Sequence, residues 1–228
     1  MKEANRFYSS LGLLIILNVI IKPLWIFGID RQVQNLVGTA VYGNFFSLFN
    51  FSIVFSFLLD WGLTNYFNRQ LAVNQESFVT KAGHFLSIKL LFALLYAFVV
   101  LSIAWLSGVT QWNLLLGVIL IQVLTSLFLF FRSIVTARQW FNTDAWLSVV
   151  DKVLMIVLCG SVLYLPAVAG RITIQIYLLV QITCTALAVA IVLTVLLRRG
   201  IHFSFTINSL LNKQVLKPAL PFAIIVLL

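Results

Sequence analysis

Charged residues are scarce in this sequence, and their scarcity excludes a soluble globular domain. Only 9% of the 228 residues are Asp, Glu, Lys or Arg, whereas soluble proteins carry about 25%. A surface with so little charge does not keep a compact chain dissolved. The same composition excludes an intrinsically disordered chain, which combines high charge with low hydropathy.

Residues that carry common catalytic and metal chemistry are also rare. The chain has two histidines and two cysteines. Cys159 and Cys184 lie inside apolar stretches, so they predict neither a disulfide framework nor a metal site. No HExxH, CxxC, GxxxxGK[ST] or GxSxG pattern occurs in the sequence. We therefore expect no hydrolytic or nucleotide-driven enzyme, no metal and no cofactor.

Long hydrophobic runs dominate what is present. The chain is 62% hydrophobic, and its mean hydropathy is +1.07. A membrane-spanning helix needs about 20 predominantly apolar residues. The sequence therefore predicts an all-α, polytopic membrane helix bundle with six transmembrane helices. The predicted spans are 11–27, 45–63, 85–106, 114–131, 145–165 and 174–197.

The end of the sequence suggests further structure beyond the six helices. Residues 1–197 form the predicted N-terminal lobe, and 198–217 form a basic cytoplasmic linker. A seventh apolar run begins at 218 and reaches the last residue, 228, after about half a span. Half a span leaves backbone carbonyls unpaired in hydrocarbon. We therefore expect this chain to be the front part of a longer protein.

The basic residues indicate the orientation of the bundle. Ten of them fall in the segments that are inside if the N-terminus is cytoplasmic, and two fall in the outer segments. Such a bias is typical of cytoplasmic loops. It explains the net charge of +9 without a nucleic-acid partner. The outer segments are predicted at 28–44, 107–113 and 166–173, and the inner ones, after the N-terminal tail, at 64–84, 132–144 and 198–217.

Ionisable residues inside the spans are the most informative positions, because each costs free energy in hydrocarbon. One interpretation is a cationic, water-filled cavity that binds an anionic group through Lys22, Lys89 and Lys152. The alternative is that Lys89 and Lys152 snorkel to the inner face while Asp60 caps a helix or pairs locally. Asp151 and Lys152 are adjacent and point about 100° apart on a helix, so we do not expect them to pair.

Several short motifs resemble one family of transporters. Residues 37–43 are similar to an LGxxxYG opening of a second helix, and 59–66 with 68–72 are similar to its D-x-G-L … x-R-x-x-A end. Residues 131–145 resemble the loop between helices four and five, and 217–222 resemble the entry into helix seven. Together these motifs resemble the polysaccharide exporter family, which comprises the O-antigen and lipid-linked oligosaccharide flippases.

The resemblance implies two lobes of six to seven helices that form a V around a central cavity. It implies transport of a polyprenyl-pyrophosphate-linked oligosaccharide across a bacterial inner membrane by alternating access, beside polysaccharide assembly enzymes. The partners are then this lipid-linked oligosaccharide and membrane lipid, and polar and aromatic side chains contact the sugar. The candidate residues for the anionic pyrophosphate are Lys22 and Arg31 first, with Lys89 and Lys152, and those for a gate or helix end are Asp60, Arg69 and Asp151.

Two other functions remain open from the sequence. An ion-coupled multidrug antiporter of the same superfamily requires a carboxylate deep in the first lobe. Predicted spans one, three, four and six contain no acidic residue, and Asp60 and Asp151 lie near inner ends, which favours the flippase. A membrane scaffold without transport activity is the third possibility.

Overall fold

The computed structural model describes residues 2–73, 82–164, 172–201 and 203. Within this part the chain is almost entirely helical and contains no strand, so the predicted all-α class is confirmed. Five helices are long and apolar enough to cross a membrane, and a bent pair of helices makes six if it counts as one span. Except for 198–201 and 203, the predicted linker and the start of the seventh helix lie outside the described residues.

The first helical region is much longer than the predicted span 11–27. Helix α1 (Lys2–Trp25) continues through a π-helical turn (Ile26–Asp30) into α2 (Arg31–Val37). The prediction of an outer loop over 28–44 is therefore wrong. Polar residues lower the hydropathy of 28–44, and so the sequence predicts a loop there. These residues do not by themselves end a helix, and the backbone therefore continues in helical conformation.

The second predicted span, 45–63, is not one continuous helix. It consists of α3 (Thr39–Val54), a 3₁₀ turn (Ser56–Leu59) and α4 (Leu63–Val73). The two parts are bent by 53° relative to each other. Helix α4 also occupies the start of the predicted inner segment 64–84.

The break has a local cause in the sequence Asp60-Trp61-Gly62. Trp61 and Gly62 both have positive φ angles, of 43° and 72°. Glycine adopts this region without steric cost, whereas a tryptophan there is strained. The Asp60 carboxylate accepts a hydrogen bond from the backbone N–H of Thr64 at 3.3 Å and so caps the start of α4. The predicted local capping by Asp60 is therefore confirmed.

The remaining predicted spans are helical, and their ends differ from the predictions by a few residues. The fifth is divided by a turn into a short helix and a longer one. These helices are α5 (Ala82–Leu106), α6 (Trp112–Ala137), α7 (Phe141–Leu147), α8 (Val150–Tyr164) and α9 (Ile174–Arg198).

Helix α6 is the central helix of the described bundle. Its most apolar 18-residue window is 61% buried, whereas the first helical region is 6% buried in its own window. Helix α9 packs closely along α6 at Gly117, where an added Cβ would overlap the Leu178 side chain. Because no side chain fits there, Gly117 permits the close approach of the two helices.

Helix α5 runs antiparallel to the broken pair α3–α4. The Tyr96 hydroxyl donates to the carbonyl oxygen of Ser52 at 3.2 Å, deep in the bundle. Toward the start of α5, the Lys89 ammonium reaches Asp60 at the break. This register places a lysine of α5 directly beside the non-helical backbone of its neighbour.

Candidate functional site

A polar cleft lies where the helix break faces α5 and α6. Its volume is about 450 Å³, within the roughly 300–1,000 Å³ of small-molecule sites. Twelve of the fourteen described residues that line it are polar or charged. Since the chain as a whole is 62% hydrophobic, this concentration of polar side chains is the strongest candidate for a functional site.

The charged centre of the cleft consists of three side chains. Lys89 on α5 forms an ion pair with Asp60, and its ammonium also donates to the Thr64 hydroxyl at 3.1 Å. The Thr64 hydroxyl donates to the same carboxylate. The Lys89 side chain is only 2% exposed. The proposal that Lys89 snorkels to the membrane surface is therefore wrong, because a carboxylate inside the bundle satisfies the ammonium.

A second ion pair lies at the same end of the cleft. Arg132 on α6 donates from Nε to Asp144 Oδ1 at 2.6 Å and from Nη2 to Oδ2 at 3.1 Å. This paired geometry uses the planar fork of the guanidinium. The tight turn between α6 and α7 brings the two residues together. Because hydropathy places Arg132 in the predicted inner segment 132–144, the sequence does not predict this pair.

The other predicted cationic residues do not line the cleft. Lys22 and Arg31 are exposed side chains of the first helical region, and Arg31 lies on a helix rather than in a loop. Arg69 on α4 is also exposed and is absent from the cleft lining. Of the four residues proposed for one cationic cavity, the structure places Lys89 alone at this cleft.

Lys152 and Asp151 form their own pair, contrary to the sequence prediction. The Lys152 ammonium lies 3.2 Å from Asp151 Oδ2. It also lies 4.0 Å from the centre of the Trp25 ring. Adjacent Cβ atoms diverge on a helix, but the four-carbon stem of lysine is long enough to bend back toward its neighbour. The aromatic face of Trp25 adds a cation–π contact that favours this position.

The first helical region also contains an acidic residue that the sequence analysis assigned to a loop. Asp30 Oδ1 accepts hydrogen bonds from the hydroxyls of Tyr42 at 2.8 Å and Tyr177 at 2.6 Å. The statement that the first span has no acid is therefore wrong, because the helix continues past Asp30. Because the predicted first span ends at residue 27, Asp30 falls outside it, and the sequence does not indicate an acidic residue in this helix.

Comparison with protein families, curated proteins and solved structures found no match to the chain. Membership of the polysaccharide exporter family therefore stays a prediction. The proposed function therefore rests on the residues of the cleft and on the helices around it.

Proposed function

We propose that this chain forms the first lobe of a membrane transporter that moves a polyprenyl-pyrophosphate-linked oligosaccharide from the inner to the outer leaflet. The proposal places it in a bacterial inner membrane, with the N-terminus in the cytoplasm and transport by alternating access. It follows the resemblance described above. Its partners are then the lipid-linked oligosaccharide, the surrounding lipid and the polysaccharide assembly enzymes.

The polar cleft is the observation that carries this proposal. Polar side chains in membrane helices are costly unless they meet other polar groups or a water-filled cavity. Here twelve polar or charged residues surround one space of about 450 Å³. A space of this chemistry suits the hydrophilic head of a lipid-linked molecule, which has to pass the hydrocarbon layer away from the lipid.

The broken helix supports transport over a purely structural role. Irregular backbone at membrane depth is tolerated where it is buried in protein or lines a cavity. Transporters place their binding sites at such discontinuous helices. In this chain Ser56, Leu59 and Asp60 of the break line the cleft. A scaffold protein has no comparable need for a break beside a polar space.

The decisive experiment measures lipid-linked oligosaccharide in cells that lack the gene. The side of the membrane on which it accumulates is read with a periplasmic enzyme or lectin that cannot cross the membrane. We expect accumulation on the cytoplasmic face and loss of surface polysaccharide. Unchanged levels on both faces would contradict the flippase function.

A matched pair of lysine variants sharpens this experiment. Lys89→Gln alters a lysine of the cleft, and Lys152→Gln alters a lysine that pairs with an aspartate elsewhere. Complementation by the Lys152 variant with failure of the Lys89 variant, at equal membrane abundance, is expected for a transporter that uses the cleft. Equal complementation by both variants would indicate that transport does not depend on the charged part of the cleft at Lys89.

The second candidate function is an ion-coupled antiporter, and the acidic residues favour it. Asp30 lies in the first helical region, and Asp60 lies at the helix break with its side chain 21% exposed. Both are carboxylates within the lobe, which such an antiporter needs. Uptake of a cationic dye by inverted vesicles, driven by a proton or sodium gradient and lost in Asp60→Asn, would support this function instead.

A further inference from the structure

The two cations of the cleft are already neutralised by protein carboxylates. Lys89 is paired with Asp60, and Arg132 is paired with Asp144. An anionic ligand there competes with protein carboxylates for these cations, and a carboxylate displaced from a buried pair is left without a counter-charge at high cost. No further charged residue lines the cleft among those that the structure describes. The charge balance consequently disfavours a pyrophosphate at this position.

A set of neutral groups in the same cleft has no partner. Gln122 is 8% exposed, lines the cleft and makes no side-chain hydrogen bond to the described residues. The same holds for Thr125 and Ser126, which are half-buried, and for Asn65 on α4, which is exposed. Buried polar groups are normally hydrogen-bonded, so groups of this kind require a water or a ligand.

Thr125 and Ser126 on α6, like Ser47 and Ser102 in other described helices, make no hydrogen bond to the backbone of their own helix. Nine serine and threonine side chains donate to a backbone carbonyl three or four residues earlier. This internal bond is the usual way for such residues to be satisfied within a helix. Thr125 and Ser126 have the same type of carbonyl nearby but do not bond to it, and their hydroxyls line the cleft.

Gln122, Thr125 and Ser126 form one patch on α6. Positions 122, 125 and 126 are three and four residues apart, so their side chains share a face of the helix. Gln122 and Arg132 are ten residues apart, which corresponds to about 15 Å along the axis. The cleft therefore has a charged end with satisfied ion pairs and a neutral end with free donors and acceptors.

We propose that the neutral end, formed by Gln122, Thr125 and Ser126, binds the uncharged sugar portion of the transported lipid. An amide or hydroxyl both donates and accepts hydrogen bonds, and a sugar hydroxyl does the same. A phosphate accepts only, and its preferred cationic donors in the cleft are already paired with carboxylates. The inference rests on the proposed function. It differs from the sequence expectation, in which Lys22 and Arg31, with Lys89 and Lys152, hold the pyrophosphate.

The test compares three ligands on the full chain in lipid nanodiscs. They are the lipid-linked oligosaccharide extracted from the deletion strain, the free oligosaccharide released from it by mild acid, and polyprenyl pyrophosphate without sugar. Binding is measured for the wild type and for Gln122→Leu combined with Thr125→Val. We expect the double variant to lose about tenfold or more in affinity for both sugar-bearing ligands and to bind polyprenyl pyrophosphate as the wild type does.

Two control variants keep the result interpretable. Thr183→Val removes a hydroxyl that is exposed and bonded to its own helix, so sugar binding is expected to be unchanged. Thr125→Ser keeps the hydroxyl, and it is expected to retain most of the affinity. An equal loss in Thr183→Val and the double variant would show a general folding effect and would overturn the assignment.

The remaining outcomes separate this inference from the proposed function. If the wild type binds the lipid-linked oligosaccharide but the double variant binds it equally well, the sugar site is wrong and the transport function stands. Parallel loss of polyprenyl pyrophosphate binding would likewise overturn the sugar assignment. If the wild type binds none of the three ligands, the proposed function itself fails.

Discussion

Two lysine–aspartate pairs lie in the apolar helices of the described part of the chain, and they differ in what they join. Lys89 and Asp60 are 29 residues apart and connect α5 to the break after α3. Asp151 and Lys152 are neighbours on α8. The Lys89 side chain is 2% exposed, whereas the side chains of Lys152 and Asp151 are 24% and 31% exposed.

The difference shows that a charged residue within an apolar stretch can belong either to a buried pair between helices or to a partly exposed local pair. Lys89 has no route to solvent, so its ammonium depends on Asp60, on Thr64 and on the face of the Phe130 ring, 5.8 Å from the ammonium. Lys152 covers Trp25 with its ammonium and keeps part of its side chain accessible. We expect the first pair to hold the bundle together and the second to be a local, replaceable contact.

Lys89→Met is the variant with the largest expected effect. It leaves Asp60 without its cation inside the bundle, and breaking a buried ion pair costs roughly 3–5 kcal/mol. Because Asp60 is 21% exposed to the cleft, we expect the lower end of that range. Thermal or SDS-induced unfolding of the purified protein measures the loss, together with membrane abundance in cells.

A double variant distinguishes the ion pair from lost packing. Asp60→Asn combined with Lys89→Met removes both charges, and a matched neutral pair is often tolerated as well as the ions it replaces. The double variant is therefore expected to be more stable than Lys89→Met alone. A double variant less stable than either single one would show that the two side chains do not act as a pair.

Arg132→Met has the next largest expected effect and tests whether the second pair resembles the first. Asp144 is 8% exposed and loses both hydrogen bonds in this variant. Arg132 is 24% exposed, so water partly reaches the site and limits the destabilisation to about 2 kcal/mol. The unfolding assay used for Lys89→Met measures it. A loss of stability as large as that of Lys89→Met would show that partial exposure does not lower the cost of breaking such a pair.

The presence and type of the helices could be predicted from the sequence, because long apolar runs dominate the pattern. The ends of α5 and α9 lie within three residues of the predictions, whereas α6 continues to Ala137, six residues into the predicted inner segment 132–144. The break in the second span could not be read from hydropathy, because residues 55–62 remain largely apolar. Its cause is the backbone conformation at Trp61 and Gly62, which is set by local geometry and by the capping carboxylate.

The site was predicted in part. Lys89 and Asp60 were each singled out as costly residues, but their pairing depends on the antiparallel register of α5 and the broken helix. A spacing of 29 residues carries no local signal for such a contact. The Arg132–Asp144 pair spans only a short turn, and a search for opposite charges across predicted turns would have found it.

Tyr177→Phe extends the comparison to a carboxylate that is held by hydroxyl groups. Asp30 accepts from Tyr177 at 2.6 Å and from Tyr42 at 2.8 Å. Removing one donor to a charged group costs about 1.5 kcal/mol, and the ring of Tyr177 keeps its edge-on contact with Phe45. Unfolding measurements on Tyr177→Phe test this value. A neutral result would indicate that water replaces the lost hydroxyl at Asp30.

Lys152→Met has the smallest expected effect and is the direct counterpart of Lys89→Met. Both variants replace a paired lysine by the same unbranched apolar side chain. Asp151 stays 31% exposed, so it does not need the lysine to remain hydrated, and exposed ion pairs contribute about 0–1 kcal/mol. The methionine also keeps an apolar contact with the Trp25 ring, which offsets part of the lost cation–π attraction.

We therefore expect a change below about 1 kcal/mol in the same unfolding assay. A loss equal to that of Lys89→Met would show that position within an apolar helix, rather than the partner and its burial, determines what a membrane lysine contributes.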